Sequence, residues 1–272
     1  MLNDIKKIIL ITDMDGTILS DELKISKREI DSVNEFRRLG GSFTVSTGRC
    51  YQMMKRYAKW LSLDDCAVLY NGCAVFDYKN QEFLWKQCLD HDVFDFIKEC
   101  SEKFPYTAVE LLGGKEIYVT RMNSLGIRHL VREEVEYENT DLASLEGREL
   151  IKCLFALPNE HMAEFSEFAF KNGPDTIECV QSSANYFEFL PKGISKAAGN
   201  KKLLELTNRS DYEVVAIGDF YNDLEMIKAA DFGVTVATAP DVVKEHADLV
   251  VSSCEDGAVT DLIKYIIKRT NE

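Results

Sequence analysis

Two aspartates, Asp13 and Asp15, directly follow an apolar run of strand length, Ile8–Thr12. Side chains two residues apart in an extended segment point to the same side, so both carboxylates arrive together at the end of a buried strand. Two like charges this close are unfavourable unless a cation, or a proton that takes part in chemistry, offsets them. The pair is therefore one half of a candidate site for phosphoryl transfer.

A turn is the competing interpretation of the same residues, because Asp-Gly is a strong hairpin signal. A calcium loop is excluded, since it needs glycine at the sixth position from Asp13, where this chain has Ile18. The segment 26–39 that follows has its apolar residues at the spacing of a helix face rather than of a returning strand. The unit is predicted to be a strand, an acidic loop and a helix, which weakens the hairpin interpretation.

Two segments further along the chain carry groups that suit a phosphate. Ser46-Thr47-Gly48-Arg49 follows the apolar stretch Gly41–Val45, and a hydroxyl and a glycine N–H at a helix start can donate to phosphate oxygens. A plain N-cap is the alternative for this segment. Lys192 and Lys196 precede or begin another helix, where one ammonium could neutralise a phosphoryl oxygen. Solvated surface lysines are the alternative here.

A second acidic loop follows the apolar strand Glu213–Ile217, with Asp219 and then Asp223 four residues later. Capping and the helix dipole explain one of these acids, but a pair less well. In an open α/β fold, ligands bind beyond the carboxyl ends of the strands, so both acidic loops are expected at one crevice. Several carboxylates side by side need a divalent cation, and oxygen ligands with room for water and phosphate suit Mg²⁺.

Strand and helix patterns alternate over the first seventy and the last eighty residues, which predicts a parallel sheet with helices on both faces. The predicted strands of this sheet are Ile8–Thr12, Ser42–Ser46, Cys66–Tyr70, Tyr186–Leu190, Glu213–Ile217 and Phe232–Val236. The middle of the chain has hairpin signals and separate helices instead. We therefore expect an α/β, Rossmann-like core at 1–82 and 186–272, interrupted by an α+β domain at 83–185.

Composition limits the function further. The 272 residues carry a net charge of −14, which argues against binding nucleic acid polymers or an anionic membrane surface. The eight cysteines form no Cys-x-x-Cys pair, so free thiols in a reducing compartment are expected. Met1–Asp4 does not start a signal peptide and no apolar run has membrane-spanning length, so a cytoplasmic protein is expected. The oligomeric state is not readable from the sequence.

Taken together, four segments resemble the four motifs of the haloacid dehalogenase-like phosphatases: Asp13-Met14-Asp15-Gly16-Thr17, Ser46-Thr47-Gly48-Arg49, Lys196, and Gly218-Asp219-Phe220-Tyr221-Asn222-Asp223. The insertion after Tyr70-Asn71-Gly72-Cys73 resembles that of the Cof-type branch with a large C2 cap. The resemblance covers roughly residues 5–75 and 186–268, and the cap matches only in length and position. The fold it implies is the one predicted above, with a cap that selects the substrate.

The resemblance also implies a role for each matched residue. Asp13 is the expected nucleophile, which forms an aspartyl-phosphate, and Asp15 is the expected general acid and base. The expected phosphate ligands are Thr47, Gly48, Lys196 and Asn222. The expected Mg²⁺ ligands are Asp13, the backbone carbonyl of Asp15, Asp219 and, directly or through water, Asp223. The implied reaction is hydrolysis of small phosphorylated metabolites, such as sugar phosphates, nucleotides or cofactor phosphates.

This chain departs from the family pattern at two places. Ala197 follows Lys196 where the family commonly has glycine, which keeps Lys192 as a second candidate. Ala237-Thr238-Ala239 stands where many members have Gly-Asn-Ala, so a threonine hydroxyl would replace an asparagine contact. The acid at Asp15 favours phosphate esters, because the dehalogenases lack it. A sugar phosphomutase and a non-catalytic phospholigand-binding protein are the alternatives.

Overall fold

The computed structural model describes residues 4–271 of the chain. The strands are β1 (Ile8–Thr12), β2 (Ser42–Val45), β3 (Cys66–Leu69), β4 (Ala74–Asp77), β5 (Glu82–Lys86), β6 (Ala108–Gly113), β7 (Glu116–Arg121), β8 (Glu138–Asn139), β9 (Lys152–Ala156), β10 (Ile177–Gln181), β11 (Tyr186–Pro191), β12 (Glu213–Gly218), β13 (Phe232–Val236) and β14 (Leu249–Val251). The α-helices are α1 (Lys27–Arg38), α2 (Tyr51–Trp60), α3 (Asp92–Lys103), α4 (Ser124–Glu133), α5 (Met162–Asn172), α6 (Lys196–Leu206), α7 (Leu224–Ala229), α8 (Asp241–Lys244) and α9 (Ala258–Thr270). Within residues 4–271, no helix has the length and apolar character needed to cross a membrane.

The chain forms two compact units. The core unit comprises Met1–Arg49, Arg56–Trp85 and Ser195–Glu272, and the inserted unit comprises Cys50–Lys55 and Lys86–Ile194. Residues 1–3 and 272, at the outer ends of the core segments expected from the sequence, lie outside the described residues. Compared with the insertion expected at 83–185, the inserted unit runs from Lys86 to Ile194 and also includes Cys50–Lys55.

The core unit is built on a five-stranded parallel sheet in the order β14-β13-β12-β1-β2. Strand β1 has a parallel neighbour on each edge and all five of its residues are buried. Ile9 and Ile11 pack in one cluster with Leu203 of α6 and Met226 of α7, while the alternate residue Leu10 faces the opposite side and is also buried. Because both faces are covered, the predicted α/β class is confirmed.

Strand β3 differs from its prediction as a full member of the parallel sheet. It belongs to a three-stranded sheet in the order β3-β4-β5, and pairs antiparallel with β4. One parallel bridge between Ser46 and Val68 connects it to the end of β2. The chain reverses at the 3₁₀ turn Tyr70–Gly72, so β3 takes its hydrogen bonds from the next strand along the chain.

The inserted unit contains a six-stranded sheet in the order β10-β11-β9-β6-β7-β8, antiparallel except for the β7–β8 pair. One face of this sheet packs under α3 and α5 through an aromatic cluster that includes Phe96, Phe155, Phe165, Phe187 and Phe189. The inserted unit is therefore α+β, with α3 and α5 on one face of a mainly antiparallel sheet.

The assignment of Tyr186–Leu190 to the parallel core was wrong. This segment is β11, which pairs antiparallel with β9 and β10 in the inserted unit. Phe187 and Phe189 face the aromatic cluster, and Glu188 alternates between them. A period of two is typical of an antiparallel strand, whereas strands buried in a parallel sheet form continuous apolar runs. The alternation was therefore the signal that the sequence offered.

Candidate active site

Asp13 lies at the carboxyl end of β1. Its backbone N–H donates to the carbonyl of Ile217 on β12 at 2.8 Å, so the residue stays in the sheet ladder one position beyond the strand. The side chain is buried at this edge. The predicted nucleophile is thus held by backbone pairing.

The loop after β1 brings a second carboxylate close. Gly16 has φ +75°, and a Cβ at this position would collide with the carboxylate of Asp219. The hydroxyl of Thr17 donates to Oδ1 of the same carboxylate at 3.4 Å. Glycine is required here both for the left-handed backbone and for the space, and as a result the two acidic loops meet.

Lys196 lies between two of the acids. Ser195 caps α6 by accepting from the N–H of Ala198, which puts Lys196 at the first position of the helix. Its ammonium lies 2.5 Å from Oδ1 of Asp13 and 2.6 Å from Oδ1 of Asp223, and the side chain is only 1% exposed. Burial alone would lower the pKa of this ammonium, but the attraction of Asp13 and Asp223 outweighs it and raises the pKa, so Lys196 stays charged.

Lys192 was the second candidate for this role. It belongs to the inserted unit, its side chain is exposed, and its backbone N–H donates to Thr176. Lys196 is therefore the lysine that the fold delivers to Asp13, although Ala197 follows it.

Asp223 fixes the second acidic loop. One carboxylate oxygen accepts from Lys196, and the other accepts from the backbone N–H groups of Asp219 and Phe220 at 3.0 and 3.2 Å. The residue is fully buried, and a Cβ at Gly218 would collide with its carboxylate. Both oxygens of Asp223 thus have protein donors, which orient the loop and the lysine together.

Within residues 4–271, the site has more carboxylates than ammonium groups, because Lys196 is its one ammonium beside Asp13, Asp219 and Asp223. Carboxylate oxygens of Asp13, Asp219 and Asp223 lie within 4.8 Å of one another. Burial and then Asp223 raise the pKa of Asp219 to about 7, and burial with the repulsion of Asp223 raises the pKa of Asp13 despite the attraction of Lys196. A hard divalent cation with oxygen ligands would remove this repulsion, so the donor set fits Mg²⁺.

Two of the other predicted phosphate ligands, Thr47 and Asn222, lie in separate loops of the core unit. Thr47 is buried at the end of β2, where its hydroxyl accepts from the N–H of Arg49 and its backbone N–H donates to Val68. Asn222 lies in the turn Tyr221–Asp223 with an exposed side chain. Their contact with a phosphate stays a prediction.

Thr238, the residue that would replace the asparagine of the family pattern, lies beside the acidic loops. It lines a cavity of about 450 Å³ in the core unit together with Gly16 and Asp219. Its exposed hydroxyl is thus within the surroundings of the second acidic loop.

Arg49 is a residue of the site to which sequence reasoning gave no role. Its guanidinium makes a two-pronged ion pair with Asp15, at 2.8 Å from Nε to Oδ2 and 2.6 Å from Nη2 to Oδ1. Arg49 is 7% exposed whereas Asp15 is 54% exposed, and the guanidinium also lies over the ring of Tyr57. The buried arginine therefore orients an exposed carboxylate. The sequence could have indicated a role for Arg49, because it is the last residue of the segment Ser46-Thr47-Gly48-Arg49.

Without a divalent cation, the stability of the protein is expected to fall as the pH rises through about 7. The folded pKa of Asp219 is about 7, above the ordinary value of about 4 in an unfolded chain. Such an acid favours the folded state below its unfolded pKa, and this contribution is lost as the pH passes the folded pKa. Thermal unfolding in EDTA, measured from about pH 4 to just above pH 7, should give a Tm that falls with pH. The fall of Tm per pH unit should be smaller in Asp219→Asn. The surface variant Asp31→Asn should keep the wild-type slope, and an unchanged slope in Asp219→Asn would contradict the assignment.

Comparison with known proteins gives the family. Residues 10–263 match the model of the haloacid dehalogenase-like hydrolases. The chain is 28% identical over 266 residues to the 5-amino-6-(5-phospho-D-ribitylamino)uracil phosphatase YcsE of Bacillus subtilis, with 97% of each chain covered. It is 24% identical over 274 residues to the pyridoxal phosphate phosphatase YbhA of Escherichia coli, with 94% of this chain and 97% of the relative covered.

A solved structure supports the same grouping. A haloacid dehalogenase-like hydrolase from Bacteroides thetaiotaomicron matches with a TM-score of 0.86 and 25% identity, over 95% of this chain and 98% of the other. The resemblance inferred from the four motifs is thus confirmed at the level of family and fold. The chain belongs to the haloacid dehalogenase-like hydrolases, and it is a phosphoric monoester hydrolase.

Proposed function

We propose that the protein is a Mg²⁺-dependent phosphatase of small phosphorylated metabolites that works through an aspartyl-phosphate on Asp13. One observation supports this most: a buried carboxylate at the end of β1 lies 2.5 Å from a buried ammonium. That pair offers a nucleophile for phosphorus and a positive charge for the phosphoryl oxygens in one place.

In the first proposed step, the ionised carboxylate of Asp13 attacks phosphorus while the ester oxygen leaves. Lys196, the hydroxyl of Thr47, the N–H of Gly48 and the amide of Asn222 bind the phosphoryl oxygens. Asp15 gives its proton to the leaving oxygen, so the alcohol departs neutral. The ion pair with Arg49 orients Asp15 as the carboxylate, which is the base form used in the second step, so the proton transfer of the first step requires one of the two guanidinium contacts to be released.

In the second proposed step, water hydrolyses the aspartyl-phosphate. Asp15, which lost its proton in the first step, now accepts one from the attacking water. Asp13 is regenerated as a carboxylate and inorganic phosphate is released. One carboxyl group thus acts first as acid and then as base, as microscopic reversibility requires.

Mg²⁺ would be held by Asp13, Asp219 and the backbone carbonyl of Asp15. When bound, it would screen the repulsion between the carboxylates and an anionic phosphate. Asp223 supports this site through Lys196 and the loop N–H groups, since both of its oxygens already accept hydrogen bonds. The negative charge of the grouped carboxylates of Asp13, Asp219 and Asp223 is the property that favours a cation here.

The inserted unit is proposed to act as the C2-type cap that selects the substrate, and the core unit as the catalytic domain. Two relatives are named as phosphatases of different phosphorylated small molecules, a ribitylaminouracil phosphate and pyridoxal phosphate. Because their names differ, the substrate class proposed is the broad one: sugar phosphates, nucleotides or cofactor phosphates.

Hydrolysis of an aryl phosphate should require both Mg²⁺ and Asp13. Asp13→Asn removes the nucleophilic charge with little change in shape, so turnover is expected to fall by at least about a thousandfold. EDTA should abolish turnover, and added Mg²⁺ should restore it. Asp31→Asn, an exposed aspartate on α1, is the matched control and should leave the rate unchanged. Hydrolysis by Asp13→Asn at the wild-type rate would refute the mechanism.

Asp15→Asn should slow poor leaving groups more than good ones. An alkyl phosphate needs a proton on its leaving oxygen, whereas a nitrophenolate leaves without one. The ratio of kcat/KM between an aryl and an alkyl phosphate should therefore rise by about tenfold or more in the variant. Equal losses on both substrates would show that Asp15 is not the acid for the leaving group.

A panel of phosphorylated metabolites, ranked by kcat/KM, should identify the substrate class. The panel contains the two phosphates named for the relatives, together with sugar phosphates and nucleotides. We expect stoichiometric release of inorganic phosphate from the preferred compounds. Conversion of a sugar phosphate to its isomer without phosphate release would instead indicate a phosphomutase.

A further inference from the structure

The turn that joins β3 to β4 has an unusual backbone. Tyr70, Asn71 and Gly72 follow one another with φ values of +55°, +56° and +107°. Hairpin turns use such angles with asparagine and glycine, but a buried tyrosine in this region is rare. Strain of this kind persists only where the surroundings hold it, and it clusters at functional sites.

On one side, this turn carries the phosphate-binding loop. The N–H of Asn71 donates to the carbonyl of Thr47 at 2.9 Å, and the N–H of Tyr70 donates to the carbonyl of Arg49 at 3.2 Å. The amide of Asn71 also lies against Gly48, where its Oδ1 would be 2.7 Å from an added Cβ. Both flanks of Gly48 are therefore fixed by backbone bonds to the turn, and its open side is filled by the asparagine.

On the other side, the turn carries the start of α6. A Cβ at Gly72 would collide with the carbonyl of Ser195, and a Cβ at Gly199 would lie 2.7 Å from Cα of Gly72. The helix that begins with Lys196 thus packs against the backbone of the turn through its own backbone, beside the side chain of Val68. Small residues permit this approach, and it leaves little freedom in the position of the helix.

We propose that the turn Tyr70–Gly72 is a positioning element that sets the placement of Thr47 relative to Lys196. Asn71, Gly72 and Gly199 are positioning residues in this sense, because they act through the two predicted phosphate ligands. The inference rests on the proposed function, in which both ligands bind the same phosphoryl group. It explains why a strained, buried backbone is retained beside the site.

Asn71→Gly is the test variant, because glycine accepts the left-handed backbone while the amide against Gly48 is lost. The matched control is Asn208→Gly. Asn208 has φ +55°, is exposed and follows the end of α6, so it reproduces the backbone change away from the site. Both variants should keep a Tm within a few degrees of wild type.

Two measurements test the positioning role of the turn: phosphate binding and turnover. Calorimetric titration with inorganic phosphate in the presence of Mg²⁺ should give a Kd at least about fivefold weaker for Asn71→Gly, and kcat on an aryl phosphate should fall by about tenfold to a hundredfold. The control should match wild type in both. Gly199→Ala, which favours the helix but brings a methyl group against Gly72 and Val68, should lower kcat more than it changes KM.

Wild-type phosphate affinity and turnover in Asn71→Gly would overturn the inference. Failure of the proposed function gives a different result: a wild-type protein that binds phosphate but hydrolyses no ester. In that case the Kd for inorganic phosphate still tests the positioning role of the turn, because binding is measured without turnover. A wild-type protein that binds no phosphate would refute both.

Discussion

The rest of the site depends on the buried ion pairs that the ammonium of Lys196 makes with two carboxylates. The ammonium lies against Asp13 and Asp223, and none of the three side chains is more than 6% exposed. Buried carboxylates without a counter-charge would be neutralised or expelled to water, and breaking a buried pair costs more than the pair contributes. The end of strand β1, the start of helix α6 and the turn Tyr221–Asp223 therefore each carry a charge that the others compensate. The same three elements carry the residues proposed for chemistry, so folding and function share one electrostatic constraint.

Much of the core could be predicted from local pattern. Strands β1, β12 and β13 are short apolar runs followed by helices, and Ser26 and Ser195 cap the helices that follow them. Both acidic loops were found because a carboxylate directly after a buried strand needs an explanation in itself. The carboxyl ends of parallel strands meet at one edge, so the approach of Asp13 to Asp219 also followed from the fold class.

Other features depend on partners far apart in the sequence, and local pattern does not specify them. A strand pattern at Cys66–Tyr70 or Tyr186–Leu190 does not say which sheet the strand joins. The ion pair between Arg49 and Asp15 requires two loops to meet at side-chain distance. Gly72 looks like an ordinary turn residue until the carbonyl of Ser195 is found where its side chain would stand. These interactions are set by packing rather than by periodicity.

The net charge of −14 bears on how an anionic substrate could bind. Charges more than about 8 Å away are largely screened at physiological ionic strength, so the groups nearest the phosphate decide the outcome. Lys196 already has two carboxylate partners, and Arg49 already has Asp15. A phosphate must therefore compete with the protein's own acids for the ammonium of Lys196. In the proposed function a bound cation would neutralise those acids, so the acidic cluster and the predicted phosphate ligands form one electrostatic unit.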